Sequence, residues 1–363
     1  MISKLPWKFL TYVCPKTKET VKVTTRIMSP KYTLINGQAF NWHTLEIKSE
    51  EKKDDVIFHG VLSKYYIQIT TNKEGFVNYR AIPDDKELQD LFYDYFQFQY
   101  DYEKLISEWE KCDKHFAEII KTFRGLRLLR QDPFECLIEF ICSQNNNIPR
   151  ITQLIKGICS KYGELLIEID GEKYFKFPRI EQMKKASEET LRDMKFGYRA
   201  RYITECIKAI EAKGGEKWLL ELRGKDHETI HAELTSLMGI GKKVADCIAL
   251  FSLDCKASIP VDTHVFQIFH KVYNNKVEKK AMTDKKYFEI SKFFQDKFGE
   301  YAGWAHSYLF TADLARFKGE NLIEKVKDEP SKKRKANELT GETVENIKQE
   351  TKKQSKRTSV KKK

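Results

Sequence analysis

The sequence predicts an α+β fold in which a small strand-rich N-terminal domain precedes a helical bundle. Three observations carry this expectation. Short β-branched and aromatic runs separated by hairpin-like intervals fill the chain to about residue 105. From Tyr102 the apolar spacing becomes helical and stays so. Within the helical part, Gly239 and Gly241 flank one isoleucine between two helical runs, which is a helix-hairpin-helix pattern. The expected division is residues 1–105, residues 106–324 and a tail, 325–363, and 363 residues are enough for two or three cores.

In chain order, residues 34–42 read as a Gly-marked turn entering an aromatic strand. Strands are expected at 55–62, 65–70 and 76–81, with hairpin intervals at 63–64 and 72–75, and a helix at 87–96. Asp132, Pro133 and Glu135 give an N-cap, an N1 proline and an acidic first turn for a helix to about Gln144. The asparagines 145–147 end it, and Pro149 is expected at N1 of the next helix. That helix places Ile151, Leu154, Ile155 and Ile158 on one face before Gly163. Ser187 caps a short helix, Tyr198 opens another to about Ala212, and a third starts after Asp226 and runs into the glycine turn. Helices follow at 242–253, 265–272, 284–298 and 302–316.

Net charge is +12, of which residues 321–363 carry +7, so the excess basicity is largely a polar, Lys-rich tail expected to be disordered. Its P-S-K-K-R-K run (330–335) is of the nuclear-import kind, which gives a nuclear location with a mitochondrial pool left open. A basic chain favours nucleic acid as partner. No apolar run approaches the roughly 18 residues of a spanning helix, and M-I-S-K-L-P-W has no signal-peptide core. No membrane partner and a monomer are therefore expected. The eight cysteines form no C-x-x-C pair and read as free thiols. No zinc pattern exists, and no four cysteines after the hairpin stand ready for an iron–sulfur cluster, so no metal or cofactor is expected.

Residues 237–264 (L-M-G-I-G-K-K-V-A-D-C-I-A-L-F-S-L-D-C-K-A-S-I-P-V-D-T-H) concentrate the chemistry. Gly239, Gly241 and the free N–H groups of the next helix make a seat for a phosphate. Alone this means only that a DNA backbone is held. Lys243, in the first helical turn, changes the reading. A positive helix end and partial burial are both expected to lower its pKa, and a neutral amine is a nucleophile for C1′ of a nucleotide. Lys242 points about 100° away and reads as a surface or phosphate lysine. Asp262 is either a helix cap or a carboxylate that stabilises positive charge as a base departs. His264 is an aromatic helix residue or a phosphate donor.

Several motifs in this order resemble the eukaryotic-type 8-oxoguanine DNA glycosylase/AP lyases. They are G-Q-A-F-N-W (37–42), G-L-R-L-L-R-Q-D (125–132), C-S-Q-N-N-N-I-P-R-I (142–151), G-Y-R-A-R-Y (197–202), the 237–264 stretch, Y-A-G-W (301–304) and L-F-T-A-D-L (309–314). The resemblance implies a twisted antiparallel N-terminal sheet with helices, no cofactor, and duplex DNA containing an oxidised purine as partner. It implies Lys243 as the Schiff-base nucleophile and Asp262 as the essential carboxylate. Gly37 supplies the carbonyl that accepts from N7–H of the lesion, and Cys247 and Phe310 sandwich the flipped ring. Asn145 fills the vacated gap, Arg150 and Arg199 bond the orphaned cytosine, and Tyr198 wedges beside it. His264 contacts a phosphate.

One position departs. His306 stands where the family usually has the glutamine that reads the Watson–Crick edge, and an imidazole cannot imitate an amide fork. Two readings stay open: an edge contact with looser selection that extends to ring-opened purines, or a side chain turned aside. Pro149 replaces a common alanine harmlessly. A non-catalytic DNA-binding protein on the same hairpin is the competing class, and it is opposed by the joint presence of Lys243, Asp262 and a complete base pocket.

Overall fold

Five antiparallel strands form the N-terminal sheet in the spatial order Lys8–Phe9, Val77–Ile82, Tyr65–Thr71, Val56–Leu62 and Trp42–Glu46. The computed structural model describes residues 2–46, 56–274, 282–314 and 316–317. The expected disordered tail and its basic cluster lie outside the described residues. Alternation buries Ile67, Ile69, Val77 and Tyr79 against the helix Glu87–Tyr95, whose Leu88 and Phe92 complete the sheet's core. The expected hairpins are present at both intervals. Trp42 begins the edge strand, and its indole N–H donates to the Tyr95 hydroxyl at 2.9 Å, which fixes the end of the 36–42 loop.

The helical part follows the sequence signals closely. Asp132 caps Pro133–Ser143, its Oδ1 accepting from the N–H groups of Phe134 and Glu135 at 2.9 and 3.1 Å. Asn147 caps Ile148–Tyr162 through the N–H of Arg150 at 3.1 Å, so Ile148 is the first helical residue and Pro149 the second, one place later than expected. The helix expected at 265–272 is instead Thr263–Ile268 followed by a wider, π-helical turn, Phe269–Tyr273. The last helix, Ala302–Asp313, ends before 316. Among the helices stands an unforeseen hairpin, Leu165–Ile169 with Glu172–Phe175, turned by Asp170 and Gly171 at positive φ of 51° and 85°. Its Tyr174 ring lies 4.4 Å from that of Tyr66 on the sheet.

Two helical cores meet at the helix Lys242–Ser252. Val244, Ala245, Cys247 and Ile248 belong to one, with the 133–143 and 199–212 helices, and Leu250 belongs to the other, with the 284–298 and 302–313 helices. Close contact at the second junction depends on Gly303. A Cβ there would sit 2.3 Å from the Ser258 carbonyl oxygen and 2.6 Å from Leu250 Cδ1.

Helix Pro133–Ser143 carries a destabilising group. Glu139 is fully buried, and among the described residues neither carboxyl oxygen has a hydrogen-bond partner of good geometry. Burial, then the neighbouring Glu135 one turn earlier, hold its pKa well above the ordinary range; the nearby Phe40 N–H opposes this only weakly. Below the unfolded-state pKa both states are neutral at this site. As pH rises above it the unfolded chain ionises while the folded chain does not, so stability is lost with rising pH. Glu139→Met is therefore expected to raise thermal stability by about 1–3 kcal/mol, more at pH 8 than at pH 4, in unfolding scans at the two pH values.

Candidate active site

The hairpin is built by glycine at two positions with different constraints. Asp226 caps His227–Thr235 through Thr229 N–H at 2.8 Å, and the chain then turns at Gly239, whose φ of 81° disfavours any residue with a Cβ. An added Cβ would also lie 2.3 Å from the ring of Tyr202. Gly241 has an ordinary φ of −89° and caps Lys242–Ser252 without a side chain, and an added Cβ there would meet nothing within 4 Å. The first-turn N–H groups of that helix thus remain open to an anion. The Gln144 side chain donates to the Gly239 carbonyl at 2.9 Å and ties the hairpin to the 144–147 loop.

Beside the hairpin is a pocket of about 60 Å³ that the structure lines with Gly37, Lys243, Cys247, Asp262, His306 and Phe310, together with Asn36, Gln38, Phe140, Phe251, Pro260 and Ser307. The first six were singled out in the sequence from stretches up to 273 residues apart. Gly37, Lys243, Asp262 and Phe310 also line a groove of about 1220 Å³ that includes Asn145 and His264, so the pocket opens off the groove.

The electrostatics of Lys243 reverse the sequence expectation. Burial does lower the pKa of its amine, but the Cys247 sulfur and the Asp262 carboxylate more than offset this, and it ends above the ordinary lysine value. Burial pushes the Cys247 thiol up to about 11. The amine also lies 5.5 Å from the ring centroid of Phe140. Lys242 is directed elsewhere, as expected: it pairs with Asp284 at 2.6 Å and covers the Phe288 ring.

Asp262 serves as a cap and lines the pocket at once. Its Oδ1 accepts from Val265 N–H at 2.9 Å at the start of Thr263–Ile268. Phe310 is flanked by two histidines. His264, bonded through Nδ1 to Asp313 at 2.7 Å, meets its ring edge-on, and His306 lies nearly parallel at 6.4 Å between centroids. His306 is buried and its pKa is lowered to about 4 by desolvation, so the ring is neutral.

The remaining candidates gather around the 144–147 loop. Asn145 is exposed, holds a left-handed φ of 46° and makes no side-chain hydrogen bond among the described residues. Asn146 bonds the Cys142 carbonyl at 2.9 Å and Asn147 is the cap, so of the three asparagines only Asn145 is uncommitted. Arg199 is buried. Its Nε donates to the Gln144 carbonyl and its Nη2 to the Asn145 carbonyl, both at 3.1 Å, while its guanidinium covers the Tyr198 ring. Tyr198 is exposed and donates its hydroxyl to the Gln144 carbonyl at 3.1 Å. Arg150 is exposed, and among the described residues its side chain reaches only the Lys195 carbonyl, at 3.3 Å.

Residues 20–137 match the family model for the 8-oxoguanine DNA glycosylase N-terminal domain, and residues 138–292 match that for HhH-GPD superfamily base excision DNA repair proteins. This chain belongs to the 8-oxoguanine DNA glycosylase family. It is 38% identical over 301 residues to the N-glycosylase/DNA lyase OGG1 of Arabidopsis thaliana, covering 81% of this chain and 80% of that one. An N-glycosylase/DNA lyase of Saccharomyces cerevisiae is 32% identical over 322 residues, covering 80% of this chain and 85% of the relative. Among solved structures, the Clostridium acetobutylicum 8-oxoguanine glycosylase/lyase in complex with duplex DNA containing cytosine opposite 8-oxoguanine superposes with a TM-score of 0.69 at 28% identity. That match covers 83% of this chain and 95% of the other. The hairpin and Lys243 stand on one short segment within the residues that match the HhH-GPD model. No group of three or more His, Cys, Asp or Glu among the described residues is placed to hold a metal ion.

Sequence reasoning missed the residues that hold Gly37 in place. Gln38 is buried and its Nε2 donates to the carbonyls of Thr33 at 2.7 Å and Arg127 at 2.9 Å, while its Oε1 accepts from Leu129 N–H at 2.9 Å. Asn36 donates to Thr311 Oγ1 at 3.2 Å, next to Phe310. Both lie in or beside the quoted G-Q-A-F-N-W motif, but a polar side chain flanking a glycine gives no sign of what it will bond.

Two outcomes follow from the geometry. Gly239→Ala should destabilise the fold by more than about 2 kcal/mol. Gly241→Ala should leave the melting temperature nearly unchanged yet weaken duplex binding by roughly tenfold, since only a docked phosphate meets the new methyl group; melting curves and binding isotherms on both variants check this pair. Asp262→Asn retains an oxygen for the cap, so it should melt within a few degrees of wild type. Its base-release rate should fall about 100-fold or more, and with a raising influence on Lys243 removed, the alkaline rise in rate should move to lower pH. Equal losses of stability and rate would leave Asp262 a cap only.

Proposed function

We propose that the protein excises 8-oxoguanine, and formamidopyrimidine with it, from duplex DNA opposite cytosine and then cleaves the strand by β-elimination. The observation that carries this is the shared pocket: nucleophile Lys243, carboxylate Asp262, the Gly37 backbone and the facing walls Cys247 and Phe310, all opening onto the groove that holds Asn145. The bacterial 8-oxoguanine glycosylase/lyase solved with duplex DNA containing cytosine opposite 8-oxoguanine supports the substrate.

In this reading the hairpin N–H groups and His264 hold the backbone while the damaged nucleotide leaves the stack. Flipping costs a few kcal/mol, offset by Asn145 entering the gap, Tyr198 wedging beside it, and Arg150 and Arg199 bonding the orphaned cytosine. Arg199 exchanges the loop carbonyls it holds for the cytosine edge. The Gly37 carbonyl accepts N7–H of the oxidised ring, whereas normal guanine offers an acceptor there and is rejected. Lys243 must lose its proton before it attacks, and Asp262 and the departing base are the available acceptors. Its Nζ then bonds C1′ as the C1′–N9 pair leaves with the base. Sugar opening gives a Schiff base, and loss of a C2′ proton expels the 3′ phosphate. Side chains alone supply these steps. The basic run at 330–335 supports a nuclear location.

Borohydride reduction during turnover of an 8-oxoguanine duplex should trap a covalent protein–DNA adduct, and Lys243→Gln should abolish it. A catalytically silent wild type, or an adduct undiminished in the variant, would overturn the proposal.

A further inference from the structure

Asp246 is a buried carboxylate that the chemistry above leaves unused. It stands one turn beyond Lys243 on the Lys242–Ser252 helix, is 3% exposed, and lines neither the base pocket nor the groove. It accepts from three side chains on three other segments. His227, the first residue of the helix that leads into the glycine hairpin, donates through Nε2 to Oδ1 at 2.9 Å. Ser258 Oγ donates to the same oxygen at 2.7 Å, and the Tyr287 hydroxyl, on the Asp284–Phe298 helix, donates to Oδ2.

Two of these partners act on the run that carries Asp262. Ser258 is fully buried and anchors the start of that run to the lysine helix. Tyr287 has given its hydrogen to Asp246, and its oxygen accepts from the Val261 N–H at 3.4 Å. Among the described residues that N–H has no other partner, and Val261 is the residue before Asp262. Gln295, about two turns further along the Tyr287 helix, donates to the Ala257 carbonyl at 3.1 Å. The lysine helix thus carries the nucleophile on its pocket side. Behind it, the same helix holds the chain that presents the carboxylate. Proton transfer from the amine to Asp262 needs the two groups within hydrogen-bond reach, and a misplacement of about 1 Å can cost 100-fold in rate.

We propose that Asp246 and Tyr287 are positioning residues for base excision: through Ser258 and the Val261 N–H they hold Asp262 at the distance from Lys243 at which it accepts the amine proton. This rests on the base-excision reading above and adds the groups that set the geometry of its reacting pair.

The test is a double-mutant cycle on a duplex carrying 8-oxoguanine opposite cytosine, read by single-turnover base release, duplex affinity and melting temperature. Tyr287→Phe removes the hydroxyl and keeps the ring. It should lower the base-release rate roughly 10- to 100-fold and leave duplex affinity within about twofold of wild type. In an Asp262→Asn background the same substitution should change the rate by less than about twofold, because no carboxylate remains to be positioned. Its effect on melting should be equal in the two backgrounds, which separates positioning from general loosening. Asp246→Asn keeps the volume but turns one acceptor into a donor; it should repeat this pattern, and it is read alone if Tyr287→Phe does not fold. A Tyr287→Phe rate within about twofold of wild type would overturn the proposal. So would an equal fractional loss of rate in both backgrounds, or a loss confined to duplex affinity. No base release and no trapped adduct from the wild-type protein overturns the base-excision reading itself, and this inference with it.

Discussion

The pocket depends on a few buried hydrogen bonds that pin the 36–42 loop to the helices. Gly37 enters from the sheet's side of the molecule, whereas Lys243, Cys247 and Phe310 stand on helices. The Asn36–Thr311 bond, those of Gln38 to Arg127 and Leu129, and that of Gln131 Nε2 to the Gln38 carbonyl at 2.6 Å help to keep the two sides in register. Each is a neutral bond worth about 1 kcal/mol net, but leaving any of these buried groups unpaired costs more than the bond contributes. The network therefore acts less as a source of stability than as a geometric constraint. It permits one placement of the Gly37 backbone relative to the Phe310 wall. Arg127, buried without a carboxylate, serves the same segment: it donates to carbonyls of Phe96 and Ile27 and packs its guanidinium 3.9 Å from the Tyr102 ring centroid.

Much of the fold was legible because its signals are local. Asp132-Pro133 and Asp226 announced their helices, and the alternating runs around 63–64 and 72–75 announced their hairpins, since caps and turns are decided within four residues. The 165–175 hairpin was legible too, through Asp170-Gly171 between alternating apolar residues, but the surrounding helical pattern outweighed it. The wide turn at 269–273 had no such signature. Its geometry follows from packing against the 284–298 helix, where Phe269 meets Phe293 and Phe294.

The candidate site divides in the same way. The hairpin glycines, the lysine and the cysteine one turn beyond it share a short segment, and residue spacing placed them together. The protonation state of Lys243 was not legible. Helix position and burial both argued for a lowered pKa, but the Cys247 sulfur one turn on and the Asp262 carboxylate 19 residues away together reverse the shift. The double duty of Asp262, cap and pocket wall, removes the choice that its sequence position posed. Arg199 shows a further limit: its donors are spent on the 144–145 carbonyls, and no pattern of residues indicates such a contact.

The Asn36–Thr311 bond spans 275 positions of the sequence. During synthesis the Lys242–Ser252 helix emerges before residues 302–313, so Lys243 is present in the chain while one wall of the pocket is still absent. The Phe310 face has not arrived, and the loop that bears Gly37 has no Thr311 to lock against. The pocket is thus completed late, when the last described helix docks.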